Sequence, residues 1–140
     1  MTQRLLILII IFLLLPKFLF AKSKFFEEGL NLFNNKKYDE AKFKFEQDII
    51  FDPKSEMSYL YLSKIFNNLK EKVLEEQNLK TVIMLNPRNE EAIYYLAKLK
   101  LDSSDYIKSK KLNDKLMTIC KKFCKKGKKL KVEIENLSKK

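Results

Sequence analysis

The chain has 140 residues and a formal net charge of +11, with no histidine, no tryptophan and only two glycines. That is about one domain, and a chain so poor in glycine and so rich in Leu and Phe argues for an all-α fold and against sheets with tight turns. With no histidine and two cysteines a zinc site is poorly supported, and no nucleophile elbow or phosphate-cradling glycine loop occurs.

The N-terminus addresses the protein. Met1 to Arg4 is a short positive region, Leu5 to Leu15 is an unbroken run of 11 apolar residues, and Ala21 is a small residue at the expected cleavage edge. This is the layout of a secretory signal peptide, and the run is shorter than the ~20 apolar residues of a spanning helix. The expectation is a signal over 1–21, a mature chain from Lys22 and a periplasmic destination. The alternative is an uncleaved segment that anchors the protein in the inner membrane. Beyond it, charge is unevenly spread: Lys22 to Ile107 holds 14 basic and 15 acidic residues, whereas Lys108 to Lys140 holds 13 lysines against Asp114, Glu133 and Glu135.

Taken in order, the mature chain opens on a helix from about Ser23 to Asn34, with Phe25, Gly29 and Leu32 on one face. Asn34 to Lys37 is a turn. Tyr38, Asp39, Glu40 and Ala41 start a second helix, where early acidic residues suit the positive end of the helix dipole. Ala41, Phe45, Ile49 and Ile50 are its expected buried stripe, and Pro53 stops it. Pro87 follows Pro53 after 34 residues, and the same offset aligns Tyr59, Leu62, Ser63 and Phe66, then Ile93, Leu96 and Ala97, with the first helix. Ser103, Ser104 and Asp105 turn the chain and cap the next helix. After Cys120, the residues Phe123, Gly127, Leu130, Ile134 and Leu137 recur at helical spacing as a terminal capping stripe.

Phe25, Gly29, Leu32, Tyr38, Ala41, Phe45 and Pro53 resemble the signature of the tetratricopeptide repeat, whose period is about 34 residues. Glu28, where that signature has leucine, and Lys121, in place of a third proline, depart from it. So does Glu75, where it has a small residue between the two helices; Glu75 is therefore expected to point outward, or the hairpin to open there. The resemblance implies a right-handed α–α superhelix of three hairpins (22–55, 56–89, 90–121) and a basic capping helix over 122–140. It also implies a concave groove for a partner peptide or helix, lined at matching positions by Phe26, Leu30, Phe33, Leu60, Lys64, Asn67, Tyr94, Lys98 and Leu101. Several of these can instead pack between neighbouring helices. Phe26 and Leu30 stand where the family's clamp for C-terminal carboxylates has Lys and Asn, so that clamp is absent.

Cys120 and Cys124 form an even pair in an oxidising compartment, which suggests a disulfide staple; two buried free thiols or a redox role are the alternatives. The lysine-rich tail is either a solvated face or a surface for an anionic membrane. Aromatics do not alternate with those lysines as stacking platforms for nucleic acid would require. The acidic pairs Glu27–Glu28, Glu75–Glu76 and Glu90–Glu91 are adjacent in sequence and so diverge on a helix. The reading is an exported, non-enzymatic interaction protein with a protein partner, no cofactor, no nucleic acid and no small-molecule substrate.

Overall fold

The computed structural model describes residues 23–138, so the proposed signal segment and its cleavage edge lie outside the described residues. Those residues form helices α1 (Lys24–Asn34), α2 (Tyr38–Phe51), α3 (Glu56–Asn68), α4 (Lys72–Leu85), α5 (Glu90–Asp102), α6 (Tyr106–Ile119) and α7 (Cys124–Leu137). Consecutive helices pair as α1–α2, α3–α4 and α5–α6, each pair stacks on the next, and α7 closes the array against α6 and α5.

The 34-residue step is written into the backbone hydrogen bonds. The first helix of each hairpin ends alike: Lys37 N–H donates to Leu32 O at 3.0 Å, Glu71 to Phe66 at 2.9 Å and Asp105 to Lys100 at 2.9 Å. Inside each of these loops lies a residue in the left-handed region, Lys36 (φ 60°), Lys70 (φ 61°) and Ser104 (φ 58°). This is the Schellman ending, which saturates the last carbonyls of a helix and usually takes glycine at that residue. The second helices also end in step, with Asp52, Asn86 and Cys120 donating to Asp48, Val82 and Leu116.

Apolar burial follows the same ladder. Phe26, Ala41, Phe45, Leu62, Ile65 and Phe66 form the first cluster, and Leu60, Leu79, Val82, Ala92, Leu96 and Leu99 the second. In the third, Leu130 and Ile134 of α7 cover Ala97 and Leu101 of α5. Gly29 permits a close approach of α1 to α2: a Cβ there would stand 2.9 Å from Phe45 Cε1, on a ring that is itself fully buried. Within the capping stripe Gly127, Leu130 and Ile134 are buried, whereas Leu137 is exposed.

Two expectations are corrected. Glu75 neither turns outward nor opens the hairpin: it is 4% exposed and accepts a hydrogen bond from Asn67 Nδ2 at 3.1 Å. The neighbouring amide supplies the polar partner that lets a carboxyl replace a small side chain between α3 and α4. Ile50 is 75% exposed, and Asp48 is buried in its place. Asp48 accepts from the hydroxyls of Ser23, Ser55 and Ser58, so three donors converging from the helix ends on either side satisfy a buried carboxylate.

Candidate functional site

Helices α1, α3 and α5 form one face, and the nine residues expected to line it divide into two groups. Phe26, Leu60 and Leu101 are buried. Phe26 packs on Phe45 and Tyr61, with ring centroids 5.6 and 5.8 Å away. Leu60 sits over Leu79 and Val82, and Leu101 under α7. Leu30, Phe33, Lys64, Tyr94 and Lys98 are half-buried, and Asn67 is exposed. Helical geometry explains the division: residues at positions three and four apart share a face, but its edge tilts into the next helix of the stack.

Phe33, Lys64 and Asn67 come together in a pocket of about 230 Å³, with Ser63, Asn68, Glu75 and Tyr95 completing its wall. Its aromatic side is a cluster: Tyr61 meets Phe33 edge-on at 5.1 Å and stacks on Phe45 at 5.2 Å. The Lys64 ammonium lies 4.7 Å from the Tyr61 ring centre and 2.8 Å from the Glu91 carboxylate, an arrangement that fixes one long side chain at the pocket edge. Burial lifts the Glu75 carboxyl above the ordinary carboxylate range, against the opposing effect of the Asn67 amide. Burial, reinforced by Glu91, also raises the Tyr95 phenol. Glu75, Tyr61 and Tyr95 were not anticipated as site residues; adjacent aromatics in Tyr94–Tyr95 were a visible signal for the last of these.

Tyr94 and Lys98 lie outside this pocket. Tyr94 packs edge-on against Tyr95 at 5.4 Å and tilts over Phe123 at 5.6 Å, while the Lys126 ammonium sits 4.6 Å from the Phe123 ring centre. The α5–α7 end of the face is thus built partly by the terminal cap. Beside it, Cys120 and Cys124 are joined by a disulfide with Cα atoms 5.2 Å apart. The turn that it closes donates the Lys122 and Phe123 N–H groups to Glu90 Oε2 at 2.9 and 2.8 Å. Among the described residues no three His, Cys, Asp or Glu side chains converge as a metal site, and no helix is long and apolar enough to cross a membrane.

Three stacked helical hairpins with matching turns, a shared face of first helices and a capping helix define a tetratricopeptide fold, the right-handed α–α superhelix. Solved structures share it. The first tetratricopeptide domain of Spaghetti (RPAP3), bound to the HSP90 peptide SRMEEVD, superposes with a TM-score of 0.74 at 17% identity over 83% of this chain and 91% of that one. The TPR2B domain of yeast Sti1 in its pHsp70 complex gives 0.75 at 14% identity, over 82% and 99%. The Yersinia enterocolitica type III secretion chaperone SycD, in complex with a peptide of the translocator YopD, gives 0.74 at 12% identity, over 84% and 93%. No family profile and no curated protein matches this sequence.

Proposed function

We propose that this chain is a non-enzymatic adaptor, exported into a bacterial cell envelope, that holds a peptide or helix of a partner protein across α1, α3 and α5. The observation that carries the reading is the half-open pocket in which Phe33 and Tyr95 flank Lys64, Asn67 and Glu75. Apolar anchors around a few directional polar groups suit a peptide side chain. The three structural neighbours described above are complexed with peptides or a chaperone partner, which supports the same use of the fold. Phe26 and Leu30 in place of a carboxylate clamp direct the preference away from free C-terminal carboxylates. The apolar run Leu5 to Leu15 supports export.

The test is quantitative capture from envelope extract with intact protein, Phe33→Glu and Tyr94→Glu. The expected result is at least a tenfold loss of the captured partner in Phe33→Glu and a smaller loss in Tyr94→Glu. Undiminished capture by both, with helicity preserved by circular dichroism, overturns the groove. Mass spectrometry of the protein from its own cells addresses export: a start at Lys22 agrees with a cleaved, soluble adaptor, and an intact Met1 with a membrane tether.

A further inference from the structure

Helices α4, α5 and α6 line a second cavity, of about 410 Å³, that shares no residue with the first. That volume lies within the range of about 300–1,000 Å³ used for small-molecule ligands. Leu96 of α5, which is 5% exposed, and the half-buried Leu112 of α6 supply apolar wall. Five lysines and one carboxylate, Glu76, surround them, a formal +4.

The cations are not equivalent. Glu76 holds Lys80 at 2.6 Å and Lys100 at 2.7 Å, and the Lys100 side chain is only 14% exposed. Lys108 pairs with Asp105 at 3.0 Å. Lys111 and Lys115 have no carboxylate partner among the described residues, although both line the cavity. They stand one helical turn apart on α6, and Leu112 lies between them in sequence. The cavity therefore combines an apolar floor with two unneutralised ammonium groups at one edge, while the α4 edge is closed by an internal ion pair.

We propose that this cavity binds a single anionic amphiphile. Its acyl chain lies on Leu96 and Leu112, and its head, a carboxylate or a phosphate, lies between Lys111 and Lys115. A charge-assisted contact beside apolar surface is stronger than one in open water, and the chain gains by leaving water. A peptide helix fits less well, because it needs an apolar stripe several turns long, whereas the floor here is two leucines. This site is separate from the pocket on α1, α3 and α5, so it stands or falls independently of the adaptor reading.

The experiment titrates the full chain with submicellar laurate and, separately, dodecyl phosphate, by calorimetry. Decyl maltoside serves as the neutral chain and inorganic phosphate as the head alone. Expected is one amphiphile per chain, and whichever ligand binds tighter assigns the head as carboxylate or phosphate. The double substitution Lys111→Glu with Lys115→Glu weakens it at least tenfold, while Lys125→Glu with Lys129→Glu, an equal charge change at exposed positions of α7, leaves it within twofold. All four positions are exposed, and circular dichroism verifies folding. Four results overturn the proposal: no binding, equal loss in both double variants, decyl maltoside as good as laurate, or inorganic phosphate as good as dodecyl phosphate. Response only to an acidic amphipathic Glu–Leu peptide assigns the cavity to a protein partner and overturns it as well.

Discussion

The first two hairpins and the third end their second helices with the same backbone bond but hold the following turn by different chemistry. After α2 and α4 the chain runs Asp52–Pro53 and Asn86–Pro87. There the Asp52 and Asn86 side chains accept the N–H groups of Lys54 and Arg88 at 3.0 and 3.1 Å. These are short-range turns stiffened by proline. After α6 there is no proline, and Lys121 takes its place. A disulfide between Cys120 and Cys124 closes that turn, and Glu90 pins two of its N–H groups. Glu56 makes the corresponding link one repeat earlier, accepting from Asn86 Nδ2 at 3.0 Å and from Asn89 Nδ2. A repeat can thus keep its geometry while local stiffness is exchanged for a covalent bond, and the first residue of each of the helices α3 and α5 ties down the turn that follows its hairpin.

Removing the covalent bond is the strongest way to break this comparison. Cys120→Ser with Cys124→Ser is expected to lower stability by ~2 kcal/mol, the value for so short a loop. Hydrogen exchange should accelerate in α7 before it does in α1 to α4. Uniform acceleration would mean that the cap and the first hairpins are one cooperative unit. The two glycines offer the next contrast. Gly29→Ala presses three atoms of the immobile Phe45 ring and should cost about 1–2 kcal/mol. Gly127→Ala meets the flexible Met117 Sδ at 2.7 Å, and the gain of about 1 kcal/mol in helix propensity offsets the contact. Its urea midpoint should stay near that of the unmodified protein; equal losses at both glycines would refute the distinction. Lys70→Gly relieves a left-handed lysine at φ 61°; less the added freedom of the denatured chain, it should raise stability by about 0.5 kcal/mol, and a lowered urea midpoint would refute the strain.

The smallest contrast is in pH dependence. The Phe123 N–H, followed by those of Lys121 and Lys122, holds the Glu90 carboxyl below its ordinary range. Its contribution is present above the unfolded carboxyl value and is lost as pH falls through the folded one. Glu75 runs the other way, because burial raises it. What it contributes is present below the unfolded value and is lost as pH rises through the folded one. Glu90→Gln should therefore flatten the acid side of a urea-midpoint profile. Glu75→Gln should raise the neutral side, by about 1 kcal/mol for a buried polar group that keeps its amide partner. Parallel profiles for the two variants would contradict both assignments.

Much of this was legible before any coordinates. The step from Pro53 to Pro87, the small residues at Gly29, Ser63 and Ala97, and the periodic stripe of α7 are local or regularly spaced, so they survive without tertiary information. Ile50 was read as buried because an apolar residue looks buried by type, while the burial of Asp48 went unread because it depends on Ser23, Ser55 and Ser58, which no spacing rule links to it. Glu75 was expected to point outward or to open the hairpin for the same reason: its partner Asn67 is on the preceding helix. Register assigned nine residues to the face of α1, α3 and α5, but it did not tell that Phe26, Leu60 and Leu101 would be buried.

The sequence by itself determined the helices, their pairing and the 34-residue stacking step, because proline stops, turn residues and apolar periodicity act over a few residues and then repeat. Tertiary structure alone decided which polar side chains enter the interior. It also decided that Glu90 would hold the last turn, and that lysines from three helices would ring one apolar floor. Those outcomes depend on groups 7 to 33 residues apart meeting at hydrogen-bond or ion-pair distance, where desolvation is tolerable only if every partner arrives.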